Sequence, residues 1–435
     1  VEAGSYLVRV YSGSGGATLF VFPGFGGVAG LGDIDGDGFG EIAVGDMTVD
    51  SSPTAIDAGA VTIHSGQTGA TLQTFLGWSS YQVLGAAVAA AGDLNGDGTP
   101  DVIAGAPTLY PFLATTNAYV QVYSGTGGAP LLSLTSLFGS DRLGAAVAGG
   151  SDVTGDGVPD ILAGGPASVN NTGIAHLFSG STGAVFFTLI VPGFPSSWGS
   201  SVGLPGDVDG DGSNDMLVGG PGTFAGQPTL GRVTIYSGAS GLEILNITNA
   251  SVPAGFAQSA APAGDVNGDG FPDVVIGSVG AGNQGTVFVY SGAPVGVAPF
   301  GMGCSGSSGT PPRIGATGAP AIGATFSLHV SSASGGTVAA LLIGASNTTW
   351  YGIPLPLDLS FLGLPACSLL VSPDFAVFAP TIGVGPTAGH ATVGGVIPGN
   401  AALLGQSVFA QWFVVEPGFG PPPVVFTRGV QVTFQ

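Results

Sequence analysis

One ten-residue acidic loop, repeated five times, constrains what this chain can fold into more than any other feature. GDIDGDGFGE (32–41) recurs as GDLNGDGTPD (92–101), SDVTGDGVPD (151–160), GDVDGDGSND (206–215) and GDVNGDGFPD (264–273). The leading aspartates lie 60, 59, 55 and 58 residues apart. Such a period marks one supersecondary unit that buries its apolar face by stacking on copies of itself. Around each loop the grammar is the same. A run of small residues such as LGAAVAAAG (84–92) precedes it, and an apolar run such as DVIAGAP (101–107) follows. A third run ends in an aromatic-Ser-Gly turn, at 11–13, 64–66, 123–125, 178–180, 236–238 and 290–292, with His64 standing in the aromatic place once. A fourth run, for example ATLQTF (70–75), completes the unit. AYVQVYSG (118–125) alternates as a half-buried strand must, and nothing in the first 300 residues carries a convincing helical period. Four short strands per unit, joined by glycine-rich turns, predict a β-propeller blade.

Within the loop, the spacing D-x-[D/N/T]-x-D-G-x-x-[D/E] sets side-chain oxygens at positions 1, 3, 5 and 9 and a backbone carbonyl at position 7. Hard oxygen donors in a short, flexible loop suit calcium. The opening is like that of an EF-hand loop, but the last ligand comes at the ninth position and strands flank the loop. The expected ligands are Asp33, Asp35, Asp37, Phe39 and Glu41 in the first loop and Asp93, Asn95, Asp97, Thr99 and Asp101 in the second. Asp152, Thr154, Asp156, Val158 and Asp160 form the third set, and Asp207, Asp209, Asp211, Ser213 and Asp215 the fourth. Asp265, Asn267, Asp269, Phe271 and Asp273 form the fifth. Phe39, Thr99, Val158, Ser213 and Phe271 enter through their carbonyls. Thr154 puts a hydroxyl where the others have a carboxylate or amide, so the third site is expected to bind least tightly.

Plain Asp-Gly turns would also explain these residue types. Charge argues against that reading, because 17 of the 26 acidic residues lie in the five loops. Three or four carboxylates within ten residues repel one another strongly unless a cation sits among them. At ten times Kd each ion contributes about 1.4 kcal/mol, so five give roughly 7 kcal/mol, comparable to the whole stability of a typical domain. About five Ca2+ would also move the formal charge from -21 to -11.

With Gly105-Ala106-Pro107 directly after the second loop and Phe25-Gly26 before the first, the repeats resemble FG-GAP repeats. The resemblance covers residues 1 to about 300. It implies an integrin-α-type propeller, a calcium ion in each loop, and roles in adhesion or extracellular recognition. The strand count predicts about six blades, the first lacking its first two strands. Either upstream sequence or strands from elsewhere would complete the ring, and an open blade edge is a template for a strand from another chain.

Charge and composition narrow the function further. The chain has no lysine, and its five basic residues are Arg9, Arg142, Arg232, Arg313 and Arg428. Phosphate neutralisation needs clustered positive charge, so nucleic acid and acidic membrane surfaces are excluded as partners. No apolar run long enough to insert in a membrane is free of Gly or Pro. The chain starts at Val1 with no signal-like segment, as expected of a processed or truncated secreted or cell-surface protein. Its 81 glycines and 32 prolines accompany an apolar fraction of 44%, which points to turn-rich β structure rather than disorder. Only 7% of residues are charged, against about 25% in ordinary soluble domains, so the surface invites contact.

After Gly301 the repeat stops. Runs at 324–332, 337–346, 367–372, 390–397, 407–415 and 424–434 read as strands and predict a β-sandwich over 301–435, following the propeller of 1–300. Cys304 and Cys367, the two cysteines, are expected to pair in an oxidising compartment and to contribute roughly 4 kcal/mol by closing a long loop. The GCSGSSG opening and the LPLDLSFLGLPACSLLVS segment resemble a C-terminal module of secreted bacterial repeat proteins.

Catalysis needs convergent titratable groups, and outside the loops there are few. His64 and His176 fall in blade strands, and His329 and His390 in strands of the second domain. Gly199-Ser200-Ser201-Val202-Gly203 matches a nucleophile elbow but aligns with LGAAVAGG (143–150) of the preceding unit. The expectation is a non-enzymatic, calcium-stabilised structural or adhesive protein that associates with itself as an oligomer or filament. A monomeric adhesin or module binding matrix or glycan is the alternative, and a calcium-dependent polysaccharide-active enzyme the second.

Overall fold

The structure is a computed structural model of the chain. It describes residues 6–435 apart from 109–116, 136–140, 168–172, 192–196, 222, 225–226, 229–230, 250–254, 269–270, 280–284, 293–295, 307–308, 310, 365, 384–388 and 418–421. Among these residues the regular structure is strand, with two single-turn 3-10 helices, Ser360–Leu362 and Ala401–Leu403. No described helix is long and apolar enough to cross a membrane.

The repeats fold as antiparallel sheets in sequence order. Val28–Gly32, Glu41–Asp46, Ala60–His64 and Thr71–Leu76 form the first complete sheet, and Ala87–Gly92, Asp101–Ala106, Tyr119–Tyr123 and Pro130–Thr135 the second. Ala146–Ser151, Asp160–Gly165, Ile174–Phe178 and Val185–Leu189 form the third, and Ser201–Gly206, Asp215–Gly220, Arg232–Tyr236 and Glu243–Thr248 the fourth. A two-stranded sheet, Leu7–Tyr11 with Thr18–Pro23, precedes them, and a three-stranded one, Phe256–Gly264, Asp273–Val279 and Gly285–Tyr290, follows. Among the described residues there are thus six blade-like sheets, four of them four-stranded, one two-stranded and one three-stranded.

Two compact units emerge from the packing: residues 1–204, 216–262 and 275–288, and residues 205–215, 263–274 and 289–435. In the first, the apolar clusters lie between successive sheets. One joins Leu31, Val61 and Ile63 to Val102, Tyr119 and Tyr123, and the next joins Ile103, Val120 and Val122 to Ile161 and Phe178. A third surrounds the fully buried Trp198. Small residues make this stacking possible. Gly105 sits so close to the next sheet that a Cβ there would lie 2.0 Å from the Gly144 carbonyl oxygen, and Gly45 and Gly164 repeat the approach at Gly85 and Gly199. Backbone bonds run along the same seam, with the Gly85 N–H donating to Gly105 O at 3.0 Å and that of Gly144 to Gly164 O at 3.0 Å. Much of the glycine content is thus a packing requirement between sheets.

In the second unit, Val297–Phe300, Val424–Thr433, Ser407–Val415, Val338–Gly344 and Phe375–Pro380 form a five-stranded sheet in that order, and Arg313–Thr317, Thr325–Ala333 and Gly389–Val396 a three-stranded one. Both sheets contribute to one core around Trp412, Leu341, Val330 and Val430. Cys304 and Cys367 are bonded to each other across 63 residues of sequence and are buried there. The run at 367–372 yields only the two-residue strand Ser368–Leu369. The Gln411 side chain supplies what a neighbouring strand would, accepting from the Leu370 N–H at 2.8 Å and donating to Ser368 O at 3.0 Å. Phe375–Pro380 is an edge strand, where a closing proline is tolerated.

Candidate metal centres

Each acidic loop closes a hairpin between the first and second strands of its sheet, and its own carboxylates fold it. Asp33 Oδ1 accepts from the Gly36 N–H at 2.8 Å and its Oδ2 from that of Gly38 at 2.9 Å. Gly36 and Gly38 hold φ of 79° and 88°, the left-handed region where a side chain would strain the turn. Asp93 repeats the pattern with Gly96 and Gly98 at 2.7 and 2.8 Å, and Asp152 with Gly155 and Gly157 at 2.7 and 2.8 Å. The fifth-position aspartate receives the N–H of position 7, from Phe39, Thr99, Val158 and Ser213 at 2.8, 2.9, 3.0 and 2.8 Å. In the second loop the Thr99 side chain adds to this bonding at Asp97. Phe39 is exposed, whereas Phe271 is buried in the core of the second unit.

Two loops gather carboxylates as a cation site requires. Asp33, Asp35, Asp37 and Glu41 bring one oxygen each within 4.8 Å of one another, as do Asp207, Asp209 and Asp215. Glu41 is only 1% exposed; one of its carboxylate oxygens takes the Ile34 N–H, and the other, Oε1, is buried with no hydrogen-bond partner. Asp207 Oδ1 is likewise buried and unpartnered. An orphaned anionic oxygen beside three other carboxylates costs several kcal/mol unless a cation satisfies it, and an all-oxygen donor set fits a hard divalent ion. In the second and third loops the third position is an amide or a hydroxyl. Asn95 donates to Asp97 Oδ2 at 2.9 Å, and the Thr154 hydroxyl lies 3.4 Å from Asp160 Oδ1. Asp269 of the fifth loop lies outside the described residues.

The ninth position has a second task that loop spacing alone does not reveal. Asp101 Oδ2 accepts from the Leu94 N–H at 2.8 Å, while Oδ1 accepts from Gly125, in the aromatic-Ser-Gly turn, at 3.2 Å. Asp160 holds Val153 and Gly180 at 2.8 and 3.0 Å, and Asp273 holds Val266 and Gly292 at 2.8 and 3.3 Å. The turn glycine must be bare, because a Cβ on Gly125 would meet Pro100 O at 2.1 Å. The Ser-Gly turn is thus the floor of the loop, and its regular recurrence after each loop was the available signal. Hydroxyls from the turn also reach in, with Ser181 Oγ donating to Asp156 Oδ2 at 2.6 Å.

These environments shift the carboxyls in opposite directions. Burial raises Asp101 and Asp160. Asp97 is held below the usual carboxylate range by the Asn95 amide and then the Thr99 N–H, and Asp156 by the Ser181 hydroxyl and then the Val158 N–H. The fourth loop is the extreme case. Burial, then the charge of Asp211, pushes Asp207 up to about 6, and the same causes followed by the charge of Asp207 raise Asp209. Asp209 is 2% exposed and accepts from Thr317 Oγ1 at 3.2 Å. Thr317 is in turn bonded to His329 Nε2, and His329 Nδ1 pairs with Thr392 Oγ1 at 2.8 Å. Burial depresses His329 to about 4, so the ring is neutral. With Thr317 donating to Asp209, the network makes Nε2–H the donor to Thr317 and leaves Nδ1 to accept from Thr392.

Two further histidines have structural partners. His64 stacks on Phe22 at 3.9 Å between centroids, and buried His176 bonds Thr188 Oγ1 at 3.0 Å. Ser201 opens an ordinary blade strand, with no helix following, so the elbow match has no catalytic geometry.

Successive four-stranded antiparallel sheets, each with an acidic hairpin loop between its first two strands, define a repeat β-propeller whose first and fourth loops cluster carboxylates that could hold a cation. Residues 84–123 match the family model described as FG-GAP repeat, and residues 207–276 that described as FG-GAP-like repeat. Integrin alpha-8 of Gallus gallus is 31% identical over 225 residues, 47% of this chain and 21% of that protein. Integrin alpha-V of Gallus gallus is 29% identical over 224 residues, and integrin alpha-IIb of Mus musculus 30% over 240, covering 21% and 22% of those proteins. The chain therefore spans about a fifth of the length of these relatives. Among solved structures, the Dos1 propeller has a TM-score of 0.40 at 12% identity, covering 66% of this chain and 61% of that one, a likeness too weak to bear on function. The two matched stretches and the similarity of about half the chain to integrin alpha chains support an FG-GAP, integrin-type β-propeller, followed by further all-β structure.

Proposed function

We propose that this chain is a non-enzymatic extracellular or cell-surface protein, stabilised by about five Ca2+ ions, that builds adhesive or structural assemblies by associating with copies of itself. When bound, calcium would neutralise the clustered carboxylates. Asp33, Asp35, Asp37 and Glu41, and Asp207, Asp209 and Asp215, are the groups best placed to hold it. The similarity to integrin alpha chains and the paired cysteines support an extracellular setting.

The observation that carries self-association is the open edge of the last blade. In the complete sheets the third strand is paired on both sides and largely buried, as in Tyr119–Tyr123 and Ile174–Phe178. Gly285–Tyr290 holds the same place, but no described strand pairs with its outer edge. The next strand in the chain, Val297–Phe300, pairs instead with Val424–Thr433 in the five-stranded sheet, in the register Phe300 to Gly429. Val287 and Val289 are left 68% and 57% exposed. An apolar strand edge beside which no described strand lies is a template for a strand from another chain. Analytical ultracentrifugation and electron microscopy of the purified chain in calcium test this. Concentration-dependent oligomers or filaments are expected, and a monodisperse monomer at high concentration overturns the reading in favour of a monomeric adhesin or glycan-binding module.

A further inference from the structure

The acidic chain keeps two of its five arginines in the wall of one cavity. In the second unit, a cavity of about 600 Å³ is lined by both Arg313 and Arg428. Its volume falls within the range that accepts a small organic molecule. With 26 acidic residues in the chain, an arginine would be expected to find a carboxylate partner. Arg232 does so, pairing with Glu243 at 2.6 Å, but among the described residues neither Arg313 nor Arg428 has a carboxylate oxygen within 4.0 Å. Arg428 uses one donor, Nη1, on Gly268 O at 3.0 Å. That bond fixes the guanidinium while leaving most of its five N–H donors unassigned. Asp265 also lines the wall, so among the described lining residues two positive groups accompany one negative in a chain of formal charge -21.

Most of the rest of the wall is apolar, with Pro205, Pro272, Pro311, Pro312, Met302 and Ile314, and Ser332 adds one hydroxyl. Proline rings cannot move out of the way as long side chains can, so the cavity keeps its shape without a ligand. Among the described residues no Trp, Tyr or Phe lines it, so they offer no stacking platform of the kind a neutral sugar ring favours. Planar guanidinium forks match a carboxylate edge on, and the proline and methionine surface matches an uncharged hydrocarbon body.

We propose that this cavity binds a small organic carboxylate with an apolar body, its carboxylate held by Arg313 and Arg428 and its body against the prolines. The site is distinct from the self-association edge and does not depend on it. Isothermal titration of the full chain in calcium-containing buffer with benzoate, benzamide and sodium sulfate tests the assignment. Benzoate is expected to bind saturably at one site, and benzamide and sulfate at least about tenfold more weakly, since each lacks one half of the recognised chemistry. Arg313→Ala should weaken benzoate about tenfold or more, while Arg9→Ala, on an exposed strand of the first sheet, should leave it unchanged. Because Arg428 also holds the fifth loop, Arg428→Lys serves beside Arg428→Ala, and thermal melting checks that both variants are folded. Equal binding of benzoate and benzamide, equal binding of sulfate, or full benzoate affinity in folded Arg313→Ala and Arg428→Lys would each overturn the proposal.

Discussion

Asp207 shows what a single carboxyl in these loops is worth. Its carboxyl is raised to about 6 by burial and by Asp211, whereas an unfolded aspartate loses its proton near pH 3.9. Between those values the folded, cation-free chain holds a proton that the unfolded chain has released, so folding stability falls as pH rises through that window. In chelator, the chain should lose about 2–3 kcal/mol more between pH 4 and pH 6.5 than Asp207→Asn does, read from denaturant melts at each pH. Calcium should remove the difference, because the ion then holds the ionised form. The packing glycines give a second residue-scale test. Gly105→Ala would drive its Cβ into Gly144 O, and a loss of about 2–4 kcal/mol is expected in the same melts. The acidic residues that cluster in the loops were legible in the sequence because their spacing is local, fixed by two glycines within ten residues. Thr317 was not, since it reaches Asp209 across 108 residues of sequence and looks like any strand threonine.

At the scale of the element, the strands of the repeat could be read because each pairs with its sequence neighbour through a short hairpin, so alternation and turn residues decide the register. What could not be read was where the pattern fails. Val297–Phe300 follows the last YSG turn as a fourth blade strand would, and only its long-range pairing with Val424–Thr433 shows that it has left the blade. Among the described residues no strand pairs with the outer edge of Gly285–Tyr290, and the proposed self-association there sets a prediction. Val287→Lys places a charge on the exposed edge, a device by which natural sheets avoid pairing, and should convert oligomers to monomer in sedimentation without lowering the melting temperature by more than a few degrees. Oligomers that survive Val287→Lys would move the interface elsewhere. The Cys304–Cys367 bond acts on elements of the second unit. Cys304→Ser with Cys367→Ser should cost that unit about 4 kcal/mol, seen as earlier proteolysis of residues after 289, with the blade sheets unaffected.

At the scale of the whole chain, the apolar clusters between sheets mix alanine with branched and aromatic residues, and bare glycines let neighbouring backbones touch, so the stacking depends on fit. Loops one and four place carboxylates within 4.8 Å of one another, and their repulsion must be cancelled for that fit to hold. The period of the repeat announced this arrangement plainly. It did not announce that residues 205–215 and 263–274, the fourth and fifth loops, pack with the second unit, because the contacts responsible, such as Phe271 in its core, join residues distant in sequence. Differential scanning calorimetry of the intact chain with and without a calcium chelator, alongside metal analysis of the dialysed protein, tests the calcium-stabilised propeller most directly. About five calcium ions per chain and a melting temperature lowered by about 15–30 °C in chelator are the predicted result. A chain that holds no calcium and melts at the same temperature in chelator would contradict it.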